Sequence, residues 1–167
     1  DPKYPHVYYV DGSIQTYDVN IFPQTGDTVH PGGWGTILVS TMRFGGNPIT
    51  YDHDGNGATA DITSRSAIVI MDVTDPELPP KLLAEFTDVN LGFTTSSPAL
   101  IVKRTPDDAG DWNNAGTSTF PNDWYLVFGS GPTQLAGSTT GNEAISTQPA
   151  TAYLLKLSLS GTAPNQY

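Results

Sequence analysis

The sequence contains no cysteine, few basic residues and no long apolar run. The absence of cysteine excludes disulfide bonds, thiolate metal sites and cysteine nucleophiles. Lysine and arginine number 7 against 17 acidic residues, and the net charge is −10. Because the basic residues form no stripe, we expect no binding to a nucleic-acid backbone. Since no apolar run approaches the ~20 residues of a membrane-spanning helix, we also expect no membrane span.

The motifs of the common enzyme classes are also missing from the sequence. There is no Gly-x-Ser-x-Gly, no Gly-Lys-Ser/Thr phosphate loop and no dinucleotide-binding fingerprint. The histidines, His6, His30 and His53, are scattered and have no serine or cysteine partner that would indicate a catalytic triad. No pair of glutamates is arranged for glycoside hydrolysis. The sequence therefore gives no indication of an enzyme.

Glycine (17) and proline (14) are abundant, and serine and threonine are frequent. This composition favours many short strands joined by turns, so we predict an all-β fold with almost no helix. Runs of β-branched and aromatic residues predict strands at 7–10, 14–22, 34–41, 67–73, 81–86, 98–103, 124–128 and 153–159. The Asp11-Gly12-Ser13 turn between the first two runs predicts a hairpin. Three long loops separate them, at 44–66, 105–122 and 132–149, and loops of this length are commonly functional or mobile.

Two of the strands repeat one theme. A tryptophan opens the apolar strand at Trp34, and a similar strand begins at Trp124. Each is followed by a long loop and then by a second apolar strand. Four-stranded repeats are the blades of β-propellers. We interpret residues 1–167 as a single propeller-like fragment of about three blades, on the usual size of a blade. Such an open stack would leave sheet edges exposed.

Five phrases of the sequence carry a resemblance to a known family. They are Tyr9-Val10-Asp11-Gly12-Ser13, Gly33-Trp34-Gly35-Thr36-Ile37-Leu38-Val39 with Phe44-Gly45-Gly46, Ile70-Met71-Asp72-Val73-Thr74-Asp75-Pro76 with Pro80–Asp88, Leu91–Pro98, and Trp124–Gly131. In this order they resemble the C-terminal propeller domain of the type IV pilus tip-associated biogenesis and adhesion family (PilC/PilY-type). The resemblance covers residues 9 to 131, which is most of the chain.

Membership of that family would have several implications. The resemblance implies a β-propeller fold, export through the periplasm to the bacterial cell surface, and roles in pilus assembly and cell adhesion. The implied partners are pilus subunits or other domains of a parent protein, with a host or surface ligand as a further partner.

The segment from Asp52 to Asp61 has the composition of a calcium-binding loop. The candidate ligands are the side chains of Asp52, Asp54, Asn56 and Asp61 and the carbonyl oxygen of Ala58. Alternating oxygen side chains at the first, third and fifth positions converge on one hard cation, and Gly57 at the sixth position permits the sharp turn. Thr63 stands where an EF-hand has a bidentate glutamate. The family's own calcium loop follows a later blade, so no ligand is carried over from it, and a plain solvated turn is the alternative.

Two other functions are compatible with the same patterns. One is a propeller enzyme of the quinoprotein type, in which calcium assists a quinone cofactor; this needs a closed ring around a central cofactor, which is more than this length supplies. The other is a subunit or fragment that coassembles with further chains in an extracellular filament. The leading hypothesis remains a calcium-binding structural and adhesive module at the cell surface.

Overall fold

The computed structural model describes residues 9–48, 50–52, 54–55, 57, 62–104, 106, 110, 122–138 and 141–159. The helical elements of these residues are two 3₁₀ turns, Pro31–Gly33 and Arg43–Gly46. The strands are β1 (Ile14–Asn20), β2 (Trp34–Thr41), β3 (Thr50–Tyr51), β4 (Ile62–Thr63), β5 (Ile68–Asp72), β6 (Lys81–Phe86), β7 (Ala99–Lys103), β8 (Asp123–Gly129), β9 (Gln134–Ser138), β10 (Gly141–Ile145) and β11 (Ala152–Leu157). The predicted all-β fold is confirmed.

Seven of the predicted strands correspond to β1, β2, β5, β6, β7, β8 and β11. The bounds of β2 and β6 agree with the prediction, and the others differ by one or two residues at their ends. The predicted strand at 7–10 is not found in its described residues, Tyr9 and Val10, and residues 7 and 8 lie outside the described part. Gly12 of the predicted hairpin turn instead donates its backbone N–H to the carbonyl of Thr41, at the end of β2. Two of the predicted loops contain short strands: β3 and β4 lie within 44–66, and β9 and β10 lie within 132–149. Most of the third loop, 105–122, lies outside the described residues.

The longer strands form two antiparallel sheets. The four-stranded sheet has the order β1-β2-β5-β6, and the three-stranded sheet has the order β7-β8-β11. Each sheet is a meander: when the short hairpins β3–β4 and β9–β10 are left out, strands that are consecutive in the chain are also neighbours in the sheet. The register is regular except for a bulge between β5 and β6, at Ile70 and Met71. Described residues form no closed ring or barrel of strands.

The hydrophobic core lies between the two sheets. Side chains alternate between the two faces of a strand, so every second residue points inward. From the four-stranded sheet, Ile37, Val39 and Ile68 are completely buried, and Leu126 of the three-stranded sheet is buried against them. Phe86 at the end of β6 packs edge-on against Phe128 and Tyr153, with ring centroids 5.6 and 5.4 Å apart. The sheets are therefore joined mainly by apolar side chains.

The two meanders stack in the same direction. At one end, Trp34 opens β2 and its ring contacts that of Trp124 at the beginning of β8, with centroids 5.7 Å apart. At the other end, Phe86 contacts Phe128 at the end of β8, and Phe86 lies beside the end of β2, across β5. The first strands also correspond, because Tyr17 of β1 donates a 2.5 Å hydrogen bond to the carbonyl of Pro98, just before β7. The second meander is thus a parallel repeat of the first.

Each meander carries an inserted hairpin at the equivalent position, between its second and third long strands. β3 and β4 form the hairpin of the first meander, and β9 and β10 form that of the second. Because β2 and β8 run in the same direction, both hairpins leave the stack at the same end. None of the helices in the described part of the chain has the length and apolar character to cross a membrane.

Candidate functional site

The candidate calcium loop connects the two strands of the first hairpin. Tyr51, the last residue of β3, pairs with Ile62, the first residue of β4. Asp52 directly follows β3, and the segment that ends at residue 61 directly precedes β4. The backbone pairing therefore joins the two ends of the 52–61 segment at the base of one closed loop. The described strands of this hairpin lie at the end of the stack from which both hairpins leave.

Asp52 organises the first half of this loop. Its Oδ1 accepts a 2.8 Å hydrogen bond from the backbone N–H of Gly55, and its Oδ2 accepts one of 2.7 Å from the N–H of Gly57. Both glycines have a positive φ, 68° and 71°, which residues with a side chain rarely adopt. The Asp52 carboxylate is half-buried, and Asp54 is exposed. The chain consequently turns sharply around one carboxylate.

Asn56, Ala58 and Asp61 lie outside the described residues, as does His53. Among the residues that are described, no group of three or more histidine or acidic side chains is positioned to hold a metal ion. The calcium site stays a prediction based on Asp52, Asp54 and the closed geometry of the loop.

A second polar cluster, the His30 cluster, lies at the opposite end of the stack. His30 is 7% exposed and lies in the loop between β1 and β2. Its Nδ1 is 2.7 Å from Oδ2 of Asp27, and its Nε2 is 3.0 Å from Oδ2 of Asp72, at the end of β5. The imidazole ring stacks on Phe22 with centroids 3.6 Å apart and planes 4° apart. The cluster therefore fastens the loop at residues 21–33 to the sheet.

The carboxylates of the His30 cluster are held in turn by other groups. Oδ1 of Asp27 accepts hydrogen bonds from the backbone N–H groups of Val29 and His30. The hydrogen bond from the His30 side chain lowers the pKa of Asp27 below its usual 3.8, and these backbone hydrogen bonds act in the same direction. Oδ1 of Asp72 accepts hydrogen bonds from the backbone N–H and the hydroxyl of Thr74.

The His30 cluster is arranged for structure and not for nucleophilic catalysis. A catalytic histidine accepts a proton from a hydroxyl on one ring nitrogen. Here both ring nitrogens face carboxylate oxygens, which only accept, so both hydrogen bonds form when each nitrogen carries a proton. The nearby hydroxyl of Thr74 donates to Asp72 at 2.6 Å and not to the imidazole. Sequence patterns missed this cluster because His30 and Asp72 are 42 positions apart.

Two further polar contacts connect elements of the stack. The hydroxyl of Tyr153 in β11 donates a 2.9 Å hydrogen bond to Asp88, in the segment after β6. Burial raises the pKa of Tyr153 to about 12, and the hydrogen bond to Asp88 contributes to the shift. Lys156 and Asp123 pair at 2.6 Å on the outer side of the three-stranded sheet. This hydrogen-bonded pair lowers the pKa of Asp123 and raises that of Lys156.

In the comparisons with known proteins, no family model, no curated protein and no solved structure matches this chain.

Proposed function

We propose that the chain is a structural and adhesive module of the bacterial cell surface, part of the β-propeller of a type IV pilus biogenesis and tip protein. In this role it binds calcium through the 52–61 loop and is exported through the periplasm. Its partners are pilus subunits or other domains of the parent protein. The module holds a recognition surface in place and carries out no chemical reaction.

The observation that carries this proposal is the parallel repeat of two meanders. Propeller blades are four-stranded meanders that pack face to face in the same direction around a ring. The first meander has the strand number of a blade, and the second has three of the four strands in the same order. The three-blade count and the complete ring remain part of the proposal. The phrases that resemble the pilus family, such as 33–39 and 124–131, cover β2 and β8, the second strand of each meander.

The calcium assignment is supported by the position and shape of the 52–61 loop. Its ends are joined by the pairing of Tyr51 with Ile62, and Asp52 shapes the turn through Gly55 and Gly57. Calcium prefers six to eight oxygen ligands, and the loop supplies carboxylate, amide and carbonyl oxygens within ten residues. A bound cation would offset the repulsion between the neighbouring carboxylates of the loop.

Calorimetric titration with calcium tests the assignment in three proteins. The wild-type chain is expected to bind with a Kd of roughly 10⁻⁴ to 10⁻³ M, the range of extracellular calcium modules. Asp54→Ala should lose the binding heat, because an exposed carboxylate at the third loop position is removed. Glu77→Ala is the matched control: it removes one exposed acidic side chain outside the loop and should bind like the wild type. Equal binding in all three proteins, or none, would refute the calcium site.

The pilus role is tested separately in the organism that encodes the chain. Deletion of the gene should reduce piliation and attachment to surfaces, and the wild-type gene should restore both. Complementation with Asp54→Ala then reports whether calcium binding is needed for attachment. Unchanged piliation and attachment after deletion would contradict the proposed function and would leave the calcium measurement unaffected.

A further inference from the structure

The direction of stacking has a consequence for the two outer faces of the molecule. If the first meander is superposed on the second, the core-facing side of the four-stranded sheet falls on the solvent-facing side of the three-stranded sheet. By the same relation, the buried face of the three-stranded sheet corresponds to the outer face of the four-stranded one. Two types of sheet face meet in the core of one chain. The two outer faces of the molecule are one face of each of these types.

The outer face of the three-stranded sheet is apolar at its centre. Ile101 of β7 and Leu154 of β11 are 48% and 63% exposed, and Tyr125 and Val127 of β8 lie between them. A sheet face that meets only water normally carries polar side chains. At one end of this face stand Lys103 and Lys156, and Lys156 is paired with Asp123. We call this surface the basic-edged face.

The outer face of the four-stranded sheet has a similar centre and the opposite charge. Leu38 and Met71 are paired across β2 and β5, and Leu82 of β6 lies next to Met71 with 54% of its surface exposed. The charged residues on this face are acidic: Asp18 in β1 and Glu85 in β6, both exposed. We call this surface the acidic-edged face.

We propose that the basic-edged face of one copy of this chain packs against the acidic-edged face of a second copy. The contact would continue the stack of meanders from one molecule into the next. Apolar centres of matching type favour a second copy over an unrelated partner, and Asp18 lies at the end of its face that would meet Lys103 and Lys156. Glu85 lies at the opposite end of the acidic-edged face, beside the end of β2. The proposal rests on the stacking direction and the composition of the two faces, and it does not depend on calcium binding or on a pilus role.

A contact of this kind is head-to-tail. It joins two different surfaces, so each added copy leaves one face of each type open, and assembly proceeds beyond a dimer to a ring or a filament. A contact between two like faces would instead stop at a symmetric dimer. This difference allows the direction of assembly to be measured with surface variants.

Sedimentation equilibrium over a range of concentrations tests the proposal with two variants and their mixture. Leu82→Arg blocks the acidic-edged face and Leu154→Glu blocks the basic-edged face, and each introduces a charge that repels the edge of the opposing surface. The wild type should form oligomers larger than a dimer. The association constant of each variant alone should be lower than that of the wild type by roughly tenfold or more. An equimolar mixture should form a 1:1 dimer, because each variant keeps the face that the other has lost.

Leu78→Arg is the matched control, since Leu78 is 55% exposed but lies in the turn between β5 and β6, away from both faces. It should assemble like the wild type, and circular dichroism should show the same strand content in all variants. A wild type that stays monomeric at high concentration would overturn the proposal, as expected if sheets of a longer protein cover these faces instead. A single-face variant that still dimerises on its own would overturn the head-to-tail contact.

Discussion

At the scale of single residues, His30 is the polar side chain with the most completely defined surroundings. It lies between the carboxylates of Asp27 and Asp72 and against the ring of Phe22. Hydrogen bonds to charged groups are stronger than those between neutral groups. The loop between β1 and β2 contributes Phe22 to the core, so the contacts of one imidazole also keep an apolar ring in place.

We expect His30→Phe to lower the free energy of unfolding by roughly 2 kcal/mol, because both carboxylates lose their donor while an aromatic ring of similar size remains. Chemical denaturation measures the change. Thr16→Val provides a comparison at an exposed position of β1 and should leave the stability nearly unchanged. A His30→Phe protein as stable as the wild type would show that the cluster does not hold the loop.

Asp27 links the same cluster to acid stability. Its pKa is lower in the folded chain than its ordinary value of 3.8, mainly because of the hydrogen bond from His30. The folded state therefore gains stability from the ionised carboxylate above pH 3.8, and this gain is lost as the pH falls through the lowered pKa. Denaturation curves below pH 5 should show a smaller loss of stability in Asp27→Asn than in the wild type. An equal loss in both would contradict the assignment.

At the scale of elements, the contact between β11 and the segment after β6 ties the two meanders together. Tyr153 packs against both Phe86 and Phe128, and its hydroxyl donates a hydrogen bond to Asp88. The ionised phenol would be buried beside a carboxylate, so the neutral form is favoured in the folded state. The contact is thus sensitive to alkaline and not to neutral pH.

The pKa of Tyr153 is raised from 10.0 to about 12. The neutral phenol accordingly contributes stability below pH 10, and this contribution is lost as the pH rises from about 10 to about 12. Spectrophotometric titration should reveal one tyrosine that ionises late, and Tyr153→Phe should remove that step. Tyr9, whose side chain is 77% exposed, is the comparison position: Tyr9→Phe should leave the late step in place. A late step that survives in Tyr153→Phe would refute the assignment.

The strands that the sequence predicts well are those with strong patterns. β2 alternates buried and exposed residues behind Trp34, and β6 follows a pair of prolines, so both were located to the residue. The hairpin of β9 and β10 was missed because its strands, Gln134–Ser138 and Gly141–Ile145, consist largely of small and polar residues. Pairing between the two strands forms this hairpin, and no apolar alternation indicates it beforehand.

The candidate site was predictable only in part, for a similar reason. The spacing of Asp52, Asp54 and Gly57 is local, so a sequence pattern detects the turn that the structure contains. The His30 cluster depends on an acid in a different strand, and only the folded sheet brings Asp72 to the imidazole. Parallel stacking of the meanders is likewise a property of the fold, although the echo of Trp34 in Trp124 indicated a repeat.

At the scale of the whole molecule, the net charge of −10 opposes the association of copies. Added salt shortens the Debye length from roughly 30 Å at 0.01 M to about 8 Å at 0.15 M, so it screens the repulsion between whole molecules. Salt screens oppositely charged side chains that are in direct contact at the interface less strongly. We expect self-association of the wild type to strengthen over this range, measured by sedimentation. Leu154→Glu should stay monomeric throughout, and weaker association of the wild type with salt would show that ion pairs dominate the contact.

Both inserted hairpins leave the stack at one end, while the His30 cluster closes the other. The connections between β3 and β4 and between β9 and β10 are not part of the two sheets that form the core. Their sequences can therefore be exchanged at little cost to folding. A peptide grafted between β9 and β10 would be presented at the same end of the stack as the 52–61 loop. The fold can therefore serve as a scaffold that displays a foreign peptide at this end and leaves the core unchanged.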